Sequence, residues 1–373
     1  MNSDEHMKLI GRPVAELPTP ALLIDATLLE RNLAAMKACM SAGKAAYRPH
    51  TKSHKSPLIA KMQIAQGACG ICCSKLGEAE VMAAGGVEDI HVTTPVVGRD
   101  KAQRLAVLAA KRRVSVVVDS VDNCNELSAV AVAMGTVIDV LIEMDVGQGR
   151  CGVAGPEQAL AIAEAIGRAQ GVRLKGMQGY QGKLQSVVEF GARRNAVRPA
   201  LDQLLQGAQA LKDHGHALEV LTVGGTGSLA IDLEFGGLTE LQPGSYVFMD
   251  STYRRIGWDT NAAPAPFANS LSILAGVVSR PLAERAVLDV GWKAASSDSG
   301  PPVLKSDGTP VAFAGDEHSL VTGAAASALK VGSKLELIPS HCDTTVNLYD
   351  RYHVIRNGVV EAVWPVAARG RSD

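Results

Sequence analysis

Short hydrophobic runs alternate along the first two thirds of the chain with longer segments in which apolar residues recur every three or four positions. The short runs predict buried strands, and the longer spacing predicts amphipathic helices. The helical spacing is clearest in residues 156–170, where Leu160, Ala163 and Ile166 would face a sheet. Eight strands are predicted, beginning at Ala45, Gly70, Asp89, Val114, Asp139, Leu174, Leu218 and Glu240.

The alternation of strands and helices predicts an α/β fold with a TIM-type (βα)8 barrel, whose functional site would lie at the C-terminal ends of the strands. A doubly wound open sheet is the structural alternative, because it shows the same alternation. The barrel is favoured because the strands number eight and because polar or glycine-rich clusters follow several of them: RPHTK, DVGQGR, QGYQG, VGGTGS and GSY.

The pattern changes after Arg255 to short alternating runs separated by turns, with an Asn357-Gly358 pair that is a strong hairpin signal. We therefore predict two domains. Residues 27–255 would form the barrel, and residues 1–26 together with 256–373 would form a β-rich domain. The run ALLIDA, residues 21–26, is an additional strand that would cross to this second domain.

Composition narrows the function classes. The 373 residues carry a formal net charge of -1, which gives no electrostatic reason to expect nucleic acid or an anionic membrane as a partner, so a small molecule is the expected ligand. No apolar run approaches the roughly 20 residues that span a bilayer, and residues 1–12 lack the apolar core of a signal peptide, which predicts a cytoplasmic protein. The odd number of cysteines, 7, and the lack of paired zinc spacings predict reduced thiols.

The segment YRPHTKSHK, residues 47–55, places several cationic and imidazole side chains at the end of the first barrel strand. A solvated basic loop is the simplest interpretation. A lysine that bonds covalently to pyridoxal-5′-phosphate (PLP), however, needs a partly desolvated position near other cations, where its ammonium loses a proton easily. Lys52 follows the strand closely enough to point inward, and Lys55 is its rival.

Two glycine-containing segments suit a phosphate group. VGGTGS follows the seventh strand, and its glycines, Gly225 among them, let backbone N–H groups converge while Thr226 adds a hydroxyl. The next strand ends in PGSYVF, where the backbone of Gly244 and Ser245 can complete the cradle. An ordinary glycine turn is the alternative for VGGTGS.

His341-Cys342-Asp343 is a candidate metal site. Side chains at positions i and i+2 of an extended segment point to one side, so His341 and Asp343 can bind one ion while Cys342 faces away. A surface turn is the alternative interpretation, because two protein ligands leave most coordination positions to water.

Several segments, in order and over nearly the whole chain, resemble the D-threonine aldolase and 3-hydroxy-D-aspartate aldolase group, which belongs with the D-serine dehydratases to the alanine-racemase-like, fold-type III PLP enzymes. The segments are TPALLIDATLLERN, RPHTKSHK, GICCSK, DVGQGRCGV, VGGTGS, LQPGSYVFMD and PSHCDTTVN. The resemblance implies a PLP-binding barrel, a β-domain, a homodimer and a divalent metal beside the cofactor.

The same resemblance assigns individual residues. It implies that Lys52 is the PLP lysine and that Arg150 and Tyr180, after the fifth and sixth strands, contact the cofactor ring, with Arg150 near the pyridine nitrogen. The alternative for Arg150 is a salt bridge to Asp145 or Glu143.

For the HxD pair, the resemblance implies a metal site in which His341 also takes part in catalysis. Imidazole, carboxylate and water suit Mn²⁺ best in this setting, with Mg²⁺ or Co²⁺ as alternatives, whereas an HxC pair, the dehydratase pattern, would suit Zn²⁺. Asp343 therefore favours the aldolase branch.

The implied activity is retro-aldol cleavage of a β-hydroxy-D-amino acid, of the D-threonine or 3-hydroxy-D-aspartate type, to glycine and an aldehyde. A dehydratase of D-serine or 3-hydroxyaspartate on the same fold is the first alternative. A non-catalytic PLP-binding protein is the second, and the β-domain and the HxD pair argue against it. An amino-acid racemase would need a second base that the sequence does not reveal.

Overall fold

The fold is built around a ring of eight parallel strands, seen in a computed structural model that describes residues 3–41 and 43–373. The first barrel strand pairs with the last, and a bridge between His50 and Cys72 joins the two ends of the sheet. This confirms the predicted barrel over an open sheet. The strands are β2 (Ala46–Tyr47), β3 (Ile71–Cys73), β4 (Asp89–Val92), β5 (Arg113–Val118), β6 (Ile138–Met144), β7 (Val172–Gly179), β8 (Val220–Val223) and β9 (Glu240–Leu241).

The helices that connect the barrel strands cover the outside of the barrel, because each presents an apolar face to the sheet. Helix α7, which begins with Pro156 at its first turn, buries Ala163 and Ile166 as the sequence predicted, whereas Leu160 is only half-buried. Among the described residues, no helix is long and apolar enough to cross a bilayer. The helices are α1 (Ser3–Met7), α2 (Ala26–Ser41), α3 (Pro57–Ala65), α4 (Leu76–Ala84), α5 (Arg99–Ala109), α6 (Val121–Ala133), α7 (Pro156–Arg168), α8 (Phe190–Asp213), α9 (Leu229–Glu234), α10 (Ala324–Ser327) and α11 (Cys342–Val346).

The interior of the barrel is filled in two layers. Val117, Leu141 and Val220 form a small apolar cluster of their own, while their neighbours Val116 and Val118 join the large core under the helices. Alternate side chains of a strand point to opposite faces, so this separation identifies the residues that face into the barrel.

Above this apolar layer, the inward-facing side chains are polar. Gln178 is at the centre: its Oε1 lies 2.8 Å from His91 Nε2 and accepts from Gln242 Nε2 at 2.9 Å, and its Nε2 donates to Glu143. Gln242 also donates to Thr222 Oγ1 at 2.9 Å. These buried groups satisfy one another, and two of them, Gln178 and Gln242, line the cavity described below.

The second sheet contains β1 from the N-terminal region between two strands from the C-terminal region. It pairs antiparallel with β10 and parallel with β16. Asn357 and Gly358, with φ of 51° and 76°, form the predicted hairpin turn between β16 and β17. The strands are β1 (Ala21–Asp25), β10 (Leu271–Leu282), β11 (Arg285–Leu288), β12 (Val303–Leu304), β13 (Ala312–Phe313), β14 (Ser319–Thr322), β15 (Lys334–Ile338), β16 (Arg351–Arg356) and β17 (Val359–Pro365). The domain boundaries given above stay predictions.

Candidate active site

A cavity of about 260 Å³ opens at the C-terminal ends of the barrel strands. All the residues that the sequence singled out for a cofactor or a metal line it, although they come from both sheets and from most of the chain. They are Lys52, Arg150, Tyr180, Gly225, Thr226, Gly244, Ser245, His341 and Asp343. The structure thus brings the predicted set together, while the role of each residue stays a prediction.

Lys52 lies on a short 3-10 turn directly after β2. The turn is anchored by Thr51, whose Oγ1 donates to Glu78 Oε1 at 2.8 Å and lies 2.9 Å from the carbonyl oxygen of Cys72. The Lys52 side chain is 35% exposed, and its Nζ lies 3.9 Å from Asp343 Oδ2. Lys55 does not line the cavity. The geometry therefore favours Lys52 over Lys55 as the cofactor lysine.

The electrostatic setting of Lys52 differs from the sequence prediction of a pKa lowered by neighbouring cations. Burial lowers the pKa of Lys52 and Arg150 lowers it further, but Tyr180 and the Asp343 carboxylate outweigh them, so the pKa is raised. The prediction was wrong because Tyr180 and Asp343 are remote from Lys52 in the sequence and close to it only in the fold. The side chain is a cation at neutral pH in this arrangement.

His50, in the same motif, forms a wall of the cavity that sequence reasoning did not assign. Burial, and then the charge of Lys52, hold its pKa well below the ordinary value, so the imidazole is neutral. Its Nδ1 accepts the N–H of Lys52 at 3.3 Å, which leaves the proton on Nε2, 3.1 Å from Thr93 Oγ1. His50 thus fixes the backbone that carries Lys52.

The phosphate cradle, as we call Gly224, Gly225, Thr226, Gly244 and Ser245, forms one end of the cavity. Among the residues that the structure describes, the N–H groups of Thr226, Gly244 and Ser245 have no acceptor. Converging free N–H groups of this kind are a typical anion site. The close approach of the chain needs glycine: a Cβ on Gly225 would lie 2.6 Å from Gln185 Oε1. The cradle therefore fits the phosphate of PLP.

Gln185 supports the cradle from behind and was missed by sequence reasoning. Its Oε1 accepts the N–H groups of Gly227 at 2.9 Å and Ser228 at 3.0 Å, and its Nε2 donates to Ser228 Oγ at 3.0 Å. Gln185 lies in the loop after β7, just past the QGYQG cluster, but nothing in the sequence distinguishes this glutamine as a support for the VGGTGS segment.

Arg150 and Tyr180 lie together at the mouth of the cavity. The Arg150 guanidinium carbon is 5.6 Å from the Tyr180 ring centroid, and Lys52 Nζ is 5.5 Å from it. The alternative salt bridge is not formed within the described part of the chain: Asp145 accepts the N–H of Gly147 at 3.0 Å, and Glu143 accepts from Gln178. Arg150 is therefore free to bind an anionic or aromatic group in the cavity.

His341 and Asp343 meet in the cavity, but not as two residues of one extended segment. His341 is extended, with φ -144°, whereas Asp343 lies in the first turn of α11, so the predicted local geometry was wrong. The helix begins here because Asp250 Oδ2 accepts the N–H of Cys342 at 3.1 Å. His341 Nε2 is 4.0 Å from Asp343 Oδ2, a distance that two metal–ligand bonds of about 2.1 Å each can span.

Asp298, which the sequence did not reveal, completes this arrangement. Its Oδ2 lies 2.6 Å from His341 Nδ1, so the ring presents Nε2 to Asp343, as in many metal-binding histidines that are oriented by a carboxylate. Within the described residues there is no cluster of three or more His, Cys, Asp or Glu side chains that could hold a metal ion. An ion here would have two protein ligands, with water or substrate in the other positions.

Comparison with known proteins relates the whole chain to one group of enzymes. Residues 24–252 match the family model "Alanine racemase, N-terminal domain", and residues 270–355 match the "Putative serine dehydratase domain". The chain is 42% identical to a D-threonine aldolase of Arthrobacter sp, covering 97% of this chain and 95% of that protein. It is 40% identical to a 3-hydroxy-D-aspartate aldolase of Paracoccus denitrificans, with the same coverage of 97% and 95%.

Solved structures agree with the sequence comparison. The D-threonine aldolase from Filomicrobium marinum superposes with a TM-score of 0.94 at 39% identity, covering 98% of this chain and 99% of that one. The D-threo-3-hydroxyaspartate dehydratase from Delftia sp. HT23 gives 0.84 at 27% identity, covering 95% and 98%. An alanine racemase of Clostridium difficile, at 12% identity and a TM-score of 0.72, shares the fold alone.

Proposed function

The chain belongs to the alanine-racemase-like family of D-threonine and 3-hydroxy-D-aspartate aldolases, and from this premise we propose that it cleaves β-hydroxy-D-amino acids to glycine and an aldehyde. Its class is that of a lyase acting on a carbon–carbon bond. The observation that carries the proposal is the convergence of Lys52, the phosphate cradle and the His341–Asp343 pair in one cavity.

Different residues of the cavity would hold different parts of PLP. The N–H groups of Thr226, Gly244 and Ser245 would bind its phosphate, and Lys52 Nζ would hold it covalently. PLP, when bound, supplies an electron sink for the pair left on Cα as the Cα–Cβ bond breaks. Arg150 and Tyr180 lie at the mouth of the cavity, where they can orient the carboxylate of the substrate or the ring of PLP.

His341 and Asp343 would hold a divalent ion, for which we propose Mn²⁺, with Mg²⁺ or Co²⁺ as alternatives. Such an ion supplies a positive charge that lowers the pKa of a hydroxyl group beside it. Asp298 fixes the His341 ring, and Ser245 Oγ lies 3.4 Å from Asp343 Oδ1, so both ligands are held before an ion arrives. The homodimer and the cytoplasmic location expected from the sequence stay predictions.

Product analysis tests the proposal. Purified protein with PLP and Mn²⁺ is incubated separately with D-threonine and 3-hydroxy-D-aspartate, and with the L-isomers as controls. We expect glycine and the matching aldehyde from the D-isomers and little from the L-isomers. Ammonia and a 2-oxo acid as main products would instead identify a dehydratase, and the fold and the assignment of Lys52 would survive that result.

A further inference from the structure

Asp232 is a buried carboxyl directly behind the phosphate cradle that the function proposed above does not use. It lies on α9, and its Oδ2 accepts from Ser228 Oγ at 2.6 Å. A Cβ on Gly224 would lie 2.3 Å from the same Oδ2, so the carboxyl is in contact with the backbone of the cradle. Ser228 Oγ in turn accepts the N–H of Gly225 at 3.3 Å. A short chain of hydrogen bonds therefore links Asp232 to the cradle.

The second carboxyl oxygen has no partner. Asp232 Oδ1 is buried without a hydrogen bond among the described residues. Val146, Val197, Leu201 and Val223 are among the side chains that line a small cavity beside it, and Asp232 is the only titratable residue in that lining. An ionised carboxylate with one oxygen unsatisfied in such surroundings is costly, so the neutral acid is favoured. Burial accordingly raises the pKa of Asp232 to about 7.

The charged groups on the elements around Asp232 do not neutralise it. On α9 itself, Glu234 pairs with Arg194 of α8 at 2.9 Å. Arg193 of α8 donates to the backbone carbonyls of Val187 and Gly257. None of these cations faces the Asp232 carboxyl, and its pKa is governed by burial and by Ser228 alone.

The cradle itself also lacks a cation. It offers backbone N–H groups and the hydroxyls of Thr226 and Ser245, so nothing between the bound phosphate and Asp232 would screen one negative charge from another. A phosphate monoester is close to a dianion above about pH 6. A second buried anion in contact with the cradle backbone would repel it.

We propose that Asp232 is a positioning residue for the cofactor phosphate, and that ionisation of Asp232 and binding of a phosphate dianion in the cradle oppose each other. As a neutral acid it holds Ser228, and through Ser228 the N–H of Gly225, without adding charge. Phosphate binding then takes up a proton at Asp232 when the solution is alkaline enough to have removed it. This inference rests on the PLP site of the proposed function.

The test compares PLP binding by the full chain, stripped of cofactor, in the wild type and in the Asp232→Asn variant. Asparagine keeps an acceptor for Ser228 but cannot ionise. Above about pH 7 we expect the dissociation constant of the wild type to rise up to about tenfold per pH unit more than that of the variant. Pyridoxal, which lacks the phosphate, should show the same pH response in both proteins. Glu234→Gln, which removes an exposed carboxylate of the same helix, is the matched control and should follow the wild type.

A measurement on the wild type alone covers the case in which the variant does not fold. Calorimetry in two buffers of different ionisation enthalpy counts the protons taken up on binding. At about pH 8 we expect nearly one proton more for PLP than for pyridoxal. Equal proton uptake, or equal pH responses of the wild type and Asp232→Asn toward PLP, overturns the inference and leaves the aldolase proposal intact. Failure of the wild type to bind PLP at any pH overturns both.

Discussion

Replacing Gln185 by alanine tests how the cradle is held in place. Gln185 is buried, and its Oε1 is the acceptor for the N–H groups of Gly227 and Ser228 at 2.9 and 3.0 Å. The loss of these two hydrogen bonds to the loop backbone, at about 1 kcal/mol each, costs about 2 kcal/mol. The cost falls on PLP binding, because the loop must be ordered around the phosphate without them. Subtracted from the binding free energy, about 2 kcal/mol weakens PLP binding roughly thirtyfold.

The assay is a PLP titration of the full chain stripped of cofactor, at one pH, with the folded state checked by circular dichroism. Gln158→Ala is the matched control: Gln158 Oε1 also accepts a backbone N–H, that of Ala154 at 2.7 Å, but on the exposed first turn of α7. The control should bind PLP like the wild type. A dissociation constant of Gln185→Ala within about threefold of the wild type, less than about 0.7 kcal/mol, would refute the reasoning.

Four further outcomes are expected around the cofactor and the ion. Lys52→Ala should lose the visible absorbance of lysine-bound PLP, measured by spectrophotometry, and Lys55→Ala should keep it; the reverse result moves the assignment to Lys55. Chelation should abolish cleavage, spare that absorbance, and be reversed by Mn²⁺; full activity of metal-free protein contradicts the metal role. Asp298→Asn should weaken Mn²⁺ activation by about 10–100-fold, because the carboxylate no longer orients His341, and an unchanged Mn²⁺ titration would show that it does not act on the ion. Asp343→Cys should weaken Mn²⁺ activation and shift preference toward Zn²⁺, checked by titrating both ions; an unchanged preference argues against Asp343 as a ligand.

The barrel could be predicted from the sequence because each buried parallel strand has a recognisable local sequence pattern. Runs such as VSVVVD (residues 114–119) and DVLIEMD (residues 139–145) are short, rich in β-branched or aliphatic residues and followed by polar loops, and β5 and β6 lie there. The cradle was found for a similar reason, since a glycine-rich segment after a strand marks a close approach of backbone to ligand.

The supporting residues could not be predicted, because tertiary contacts alone give them their roles. Gln185 and Asp298 look like ordinary loop residues until the fold brings one against Gly227 and the other against His341. The sequence-based prediction of a lowered pKa for Lys52 was wrong for the same reason. The motif around it is cationic, but the groups that raise its pKa, Tyr180 and the Asp343 carboxylate, are distant in the sequence and meet Lys52 only in the fold.

The position of β1 has a consequence for how the protein is made. This strand is synthesised before the whole barrel, yet both of its partners, β10 and β16, are synthesised after it. On the ribosome, therefore, the barrel can form as a unit while the strand that precedes it stays unpaired, with the open backbone edges that invite association with other chains. The sheet is completed only when β16 pairs with β1, so a nascent chain halted before residue 351 cannot complete it.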